Sequence, residues 1–224
     1  VADELGFVYL DTGAMYRAVA LAVLDAADDS LRTALLQANG SEPTERLDEQ
    51  LGEVLDDHRI QIRYENDEQR VLLNGRDVSE RIRESEVGAM ASRVSEFRSV
   101  RRKLVDSQRR IGRRQVEETG GVVLDGRDTG TVVFPQADLK IFMDADLAER
   151  ARRRQHEYAR RGEDVSMEAV REEIEQRDRK DRQRDVAPLR RAEDAVLLDT
   201  TNRSVDEQVA FVVRRVKEQE TRGT

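Results

Sequence analysis

The chain has no cysteine and no tryptophan, only three prolines, and aromatic residues make up just 4% of its 224 positions. Without cysteine there is no disulfide framework, no thiolate zinc site and no thiol nucleophile. The only histidines are His58 and His156. His156-Glu157 begins like a zinc-protease helix, but Arg160 stands where the second histidine would be. No Gly-x-Ser-x-Gly elbow is present. No apolar run approaches the ~18 residues of a membrane span, and no signal peptide is visible, so a cytoplasmic protein is expected. Lysine occurs only as Lys103, Lys140, Lys180 and Lys217; every other basic residue of the 39 is arginine. The net charge of −8 argues against a nucleic-acid partner, because a phosphate backbone requires a basic footprint.

What is present is aliphatic and charged. Hydrophobic residues account for 38% and charged residues for another 38%. Apolar periodicity persists along most of the chain, which excludes wholesale disorder and predicts a core of Val, Leu, Ile and Ala. Four short apolar runs read as buried strands: Phe7 to Leu10, Val122 to Leu124, Leu139 to Met143 and Ala195 to Leu198. Each ends in polar residues: Asp11-Thr12, Asp125, Asp144 and Asp199-Thr200. Helical spacing fills 14–27, a short segment around Leu47 to Leu55, 79–118, 146–161, 166–184 and the stretch after Ser204. Residues 28–50 are otherwise polar, with Asn39-Gly40-Ser41 and Pro43 marking a loop. Residues 59–76 alternate like strands, turn at Glu65 to Glu68 and at Asn74-Gly75, and predict a small antiparallel insertion. Strands alternating with helices predict a parallel α/β sheet with a site along one rim. Val1 to Gly6 reads as the last turn of a helix stopped by Gly6, and the expectation is that a segment precedes it.

Charged constellations cluster at these strand ends. Asp125-Gly126-Arg127-Asp128 places two carboxylates and a guanidinium in one glycine-loosened turn, and arginine there suits a planar oxyanion such as phosphate. Thr12 and Arg17 lie at the start of the first long helix, where an anion can be received. Arg177, Asp181 and Arg184 fall at i, i+4 and i+7 on one helix face, and Asp178 and Arg182 are spaced as an ordinary i,i+4 pair. Arg150, Arg153 and Arg154 share another face, and two charged helices joined at Gly162 read as a hinged lid over a transferring phosphoryl group. Each of these signals alone is also compatible with solvated ion pairs or a capped helix.

In order along the chain, Leu10-Asp11-Thr12-Gly13-Ala14-Met15-Tyr16-Arg17, Asp125 to Pro135, Leu139 to Phe142, Glu149 to Arg154, Arg177-Asp178 with Asp181-Arg182, and Val186-Ala187-Pro188-Leu189 form one set. With this set the sequence resembles the bacterial cytidylate kinases, the (d)CMP kinases of the P-loop nucleoside monophosphate kinase group. The likeness runs from residue 1 to about 216. It implies an α/β fold: a P-loop NMP-kinase-like parallel sheet lacking its central first strand. A helical lid at 146–184 and an inserted NMP-binding unit at 28–118 complete a single core domain over 1–224. It also implies a cytoplasmic, monomeric enzyme of pyrimidine metabolism that takes CMP or dCMP and ATP as small-molecule substrates, with Mg²⁺, and that engages neither nucleic acid nor membrane.

Carried over residue by residue, the resemblance assigns Thr12, Arg17 and Arg127 to the CMP phosphate, and Ser92, Arg101 and Asp128 to the cytosine edge. Arg177 and Asp181 fall to the sugar hydroxyls, and Arg184 to the phosphates. Arg153 and Arg154 match the lid positions nearest the transferred group, so Arg127, Arg153, Arg154 and Arg184 form the catalytic set. No protein metal ligand is implied. Arg98 stands where the family expects proline, and Asp185 where it expects a small residue. No Gly-x-x-x-x-Gly-Lys-[Ser/Thr] occurs. The resemblance therefore implies that about two dozen residues of strand, P-loop and helix lie before Val1, and that the chain as it stands is an impaired fragment. A non-catalytic nucleotide-binding or regulatory protein without a P-loop is the alternative, and an interaction scaffold using the arginine helices a third.

Overall fold

A computed structural model describes residues 1–26, 29–37, 44–66 and 68–222. The expected loop at Asn39-Gly40-Ser41 and Pro43 lies outside the described residues, as does Asp67 of the expected turn. The chain divides into two compact units, one of residues 6–129 and one of residues 130–224, the second joined by residues 3–5.

In the first unit, β1 (Val8–Asp11) leads directly into α2 (Thr12–Asp25); the single-turn α1 (Ala2–Leu5) precedes it in sequence. Asp11 ends the strand and caps the helix; its Oδ1 accepts the Ala14 N–H at 3.0 Å, using one of the donors that a helix N-terminus leaves open. α2 is apolar almost all round, and Ala18, Val19, Ala20 and Leu21 are 1% exposed or less. A helix with that composition must be surrounded. α3 (Asp29–Gln37), α4 (Glu45–Asp57), α5 (Ser85–Val94), α6 (Arg98–Thr119) and the three-stranded antiparallel insertion share its core. The insertion runs β2 (Ile60–Glu65), β3 (Glu68–Leu73), β4 (Arg76–Asp77), with Ile60 opposite Leu73 and the Asn74-Gly75 turn joining β3 to β4 as expected. β5 (Val122–Asp125) pairs in parallel with β1, Asp11 opposite Asp125.

In the second unit, β6 (Ile141–Asp144) and β7 (Val196–Asp199) form a second parallel pair, Asp144 opposite Asp199. α7 (Leu147–Arg160) and α8 (Met167–Gln183) make a hairpin around Ala151, Tyr158 and Val170. α9 (Val205–Arg222) begins with a reciprocal cap: Ser204 Oγ accepts the Glu207 N–H, and Glu207 accepts the Ser204 N–H.

The α/β class, the four strands, their parallel pairing and the antiparallel insertion follow the sequence reading. Three details differ. First, hydrogen bonds group the four strands as two pairs, one in each unit, instead of one continuous sheet. Along these pairs Tyr9, Met143 and Leu197 are exposed while Leu10 and Leu198 are buried. Second, the described part of 28–50 is more helical than its polarity suggests: α3 forms because Leu31 and Leu35, one turn apart, reach the core around α2. Third, the helical stretch 79–118 is interrupted by extended backbone at Glu84 and a bend over 95–97, giving a short turn (81–83), α5 and α6.

Leu35 has no exposed surface and tests whether α3 is part of this core. Leu35→Ala is expected to lower unfolding stability by about 2–5 kcal/mol in urea denaturation, as cavity-forming core substitutions do. A loss below about 0.5 kcal/mol, the usual range for surface substitutions, would place α3 outside the core.

Candidate active site

In the first unit, the carboxyl ends of β1 and β5 meet in register, and the chain turns there twice. Thr12, buried at the first position of α2 rather than in the expected turn, donates its hydroxyl to the Asp125 carbonyl at 2.6 Å. A β-carbon on Gly126 would stand 2.2 Å from Thr12 Oγ1, so only glycine lets the turn pass over the helix start. Gln69, on β3, grips the same strand end from the insertion. Its Oε1 accepts the Asp11 N–H at 2.8 Å, and its Nε2 donates to the Asp11 carbonyl at 3.3 Å. Tyr9 donates to Asp125 Oδ2 at 3.4 Å, and its hydroxyl is pushed up by its partial burial and by the neighbouring Asp125 charge. Burial also raises Asp11, offset by the Ala14 N–H and reinforced by Asp125.

Beyond Gly126, Arg127 is exposed and Asp128 is 5% exposed. Asp128 forms a buried ion pair with Arg101 near the start of α6. Arg101 also donates to the Ser95 carbonyl at 3.2 Å, and its guanidinium carbon lies 5.8 Å from the centre of the Tyr16 ring. Ser95 Oγ in turn donates to the Ser92 carbonyl at 2.8 Å. Thus Arg101 and Asp128 are in direct contact, and Ser92 joins them through the C-terminal turn of α5. Arg17, half-buried on α2, donates to the Ile82 carbonyl at 3.1 Å.

The remaining predicted residues lie in the second unit, where carboxylates hold the arginines. Arg153 bonds Glu149 at 2.7 Å and also donates to Thr200 Oγ1 and the Thr200 carbonyl. Arg152 and Arg153 together lower Glu149 to about 2. Arg154 pairs with Glu157 at 3.0 Å and Glu173 at 3.6 Å, and stacks over Tyr158 at 4.7 Å. Arg150 pairs with Asp178 at 2.6 Å, so Asp178 serves the α7–α8 contact in place of the i,i+4 pair with Arg182 that spacing suggested. Arg177 is exposed. Asp181 and Arg184 are buried side by side at 3.6 Å. Arg184 lies one residue past the end of α8 in extended backbone, where its Nε donates to the Ala187 carbonyl at 2.6 Å. Its N–H keeps the helical bond to the Lys180 carbonyl at 3.0 Å, and the chain turns after it; Leu189 N–H closes this turn onto the Asp181 carbonyl at 2.7 Å.

The sequence profile of the cytidylate kinase family matches residues 1–218. The chain belongs to that family. It is 52% identical over 223 residues to a cytidylate kinase of Salinibacter ruber, covering 100% of this chain and 91% of the relative. The Chlorobaculum tepidum cytidylate kinase is 45% identical (99% of this chain, 88% of the relative), and that of Bacillus subtilis 41% (99% and 90%). Cytidylate kinases are nucleoside monophosphate kinases, so the family relation makes the chain an enzyme of that kind.

Gln69 escaped the sequence reading because nothing in a strand pattern marks an amide that will bond a backbone 58 residues away. Gly126 was legible as a turn residue, but the Thr12 contact that requires it was not.

Two substitutions probe the geometry. Asp128→Ala removes one partner of a buried ion pair and should lower stability by about 3–5 kcal/mol in chemical denaturation, more than replacing both partners by leucine. A loss under about 1 kcal/mol would show the pair to be solvated. Asp11 titrates higher folded than unfolded, so its ionised form subtracts stability at neutral pH, and that cost fades as pH falls through the folded value. Asp11→Asn keeps a good cap and should hold or raise Tm at pH 7 while removing this pH dependence. A large fall in Tm at pH 7 would mean the charge itself is needed.

Proposed function

We propose that the protein transfers the γ-phosphoryl group of ATP to CMP or dCMP, giving ADP and CDP or dCDP. The observation that carries this reading is the buried Arg101–Asp128 pair beside Tyr16 and the C-terminal turn of α5. A cytosine edge presents an amino donor next to a ring-nitrogen and a carbonyl acceptor. A carboxylate accepts from the amino group, and a guanidinium donates to the ring nitrogen and carbonyl. Uracil reverses two of these positions: its ring N–H would face Arg101 and its carbonyl would face Asp128. A site built to hydrogen-bond one edge discriminates strongly against the reversed one.

Thr12, Arg17 and Arg127 hold the CMP phosphate, and Ser92 supports the base-reading pair. Arg177 and Asp181 contact the sugar hydroxyls. Arg153, Arg154 and Arg184 neutralise charge on the transferring group. Phosphoryl transfer needs little covalent help; it needs aligned reactants and compensated charge. For Arg153 and Arg154 this means exchanging Glu149, Glu157 and Glu173 for phosphate oxygens, so the carboxylates hold them in place until substrate arrives. The segment 146–184 acts as lid and 28–118 as the monophosphate-binding insertion. Mg²⁺ is required and is held mainly by phosphates and water. The described residues contain no cluster of three acidic or histidine groups that would cage it, and no step here runs through a protein ligand to the ion. No described helix is long and apolar enough to cross a membrane. The enzyme works as a cytoplasmic monomer without a nucleic-acid partner.

Calorimetry with CMP, UMP and AMP tests the reading. CMP should bind at least about tenfold more tightly than the other two, since each reversed donor–acceptor contact is worth about 1–3 kcal/mol. Equal affinities would overturn it. CMP-dependent ADP release separates transfer from binding alone; CMP binding without release would favour a non-catalytic nucleotide-binding protein. Asp181→Ala should weaken CMP and dCMP binding and leave ATP affinity nearly intact.

A further inference from the structure

α5 contains one glycine, Gly88, in its second turn. A helix-interior glycine costs about 1 kcal/mol relative to alanine, so its presence asks for a local reason. Gly88 carries no positive φ, and its N–H makes the regular helical bond to the Glu84 carbonyl at 3.1 Å. Backbone freedom therefore does not explain it. What the absent side chain provides is room: a β-carbon there would stand 3.2 Å from Arg17 Nη1, 3.7 Å from Nη2 and 3.8 Å from Cζ. The guanidinium of Arg17 lies directly over the Gly88 backbone while Nη1 is bonded to the Ile82 carbonyl at 3.1 Å. Ile82 is buried, which fixes that carbonyl. The turn at 81–83 and the bare patch of helix at Gly88 thus form a seat that sets where the guanidinium rests.

We infer that Gly88 is a positioning residue for CMP phosphate recognition: it sets the guanidinium of Arg17 by leaving the helix surface beneath it empty. The inference rests on the reading of Arg17 as a phosphate ligand. An added methyl would displace Nη1 by a few tenths of an ångström. The far end of a flexible side chain gives way at little cost, so the fold tolerates the change while the charge-assisted bond to phosphate loses its geometry.

The test compares Gly88→Ala, Arg17→Gln and the double variant in the full chain, with thermal melting and calorimetric titration of CMP and of cytidine, which lacks the phosphate. Gly88→Ala should raise Tm by about 2–4 °C, from the improved helix propensity. It should weaken CMP about three- to tenfold, a fraction of a charged hydrogen bond. Cytidine affinity should stay unchanged, and in the Arg17→Gln background Gly88→Ala should add no further loss for CMP. Equal weakening of CMP and cytidine, or a fall in Tm with additive losses, would make Gly88 a packing residue and overturn the inference. Unchanged CMP affinity in Gly88→Ala with a loss in Arg17→Gln would overturn it alone. Unchanged CMP affinity in Arg17→Gln would overturn the phosphate role of Arg17, and this inference with it.

Discussion

The hydrogen bond from the Thr12 hydroxyl to the Asp125 carbonyl ties together the two ends from which Arg17, Arg127 and Asp128 project. It joins the start of α2 to the end of β5, two segments more than a hundred residues apart. Because Thr12 opens α2, the bond sets where that helix begins and hence where Arg17 is carried. Because Asp125 opens the turn 125–128, it also sets where Arg127 and Asp128 are carried. Gly126 is the condition for the contact, since any side chain there would occupy the space of the hydroxyl. Gln69 secures the same strand end from the insertion by bonding both backbone groups of Asp11. A hydrogen bond of this kind contributes only about 0.5–1.5 kcal/mol net, yet its geometric effect reaches Arg17, Arg127 and Asp128.

The Arg101–Asp128 pair shows a different balance. Burying two charges costs several kcal/mol for each, and a well-packed apolar pair would serve stability as well or better. In the proposed function its role is recognition: it holds one donor group and one acceptor group side by side in a low-dielectric setting, where a mismatched base edge is heavily penalised. Tyr16 and the C-terminal turn of α5 keep the guanidinium in place. The same economy of position recurs at Arg17, which the Ile82 carbonyl and the bare surface of Gly88 confine.

The arginines of the second unit are held differently, by Glu149, Glu157, Glu173 and Asp178 along α7 and α8. These pairs are half-buried, and desolvation offsets much of their attraction. They do restrict long, flexible side chains to a few arrangements, and a carboxylate partner can be exchanged for a phosphate at modest cost. Asp181 and Arg184 are the exception. Both are buried, and the turn after α8 locks them through Ala187 and Leu189.

Much of this was legible in the sequence because it depends on local rules. Apolar runs ending in aspartate gave the strands, Asn74-Gly75 the hairpin turn, Ser204 the start of the last helix, and the Asp-Gly-Arg-Asp turn marked the place where charge gathers. The aliphatic composition dictated the kind of core, and the ordered motifs indicated the family. What local rules do not contain is which distant groups meet. α3 forms because Leu31 and Leu35 find a core that no window of polar residues reveals. Asp178 takes Arg150 across the helical hairpin over its own i+4 neighbour because the tertiary partner lies closer than the local one. Arg184, the cap of its helix, ties its side chain to the Ala187 carbonyl because the chain turns back there. Residue chemistry and periodicity come from the sequence itself; pairing across a hundred residues, and the empty space beneath a guanidinium, exist only once the chain has packed.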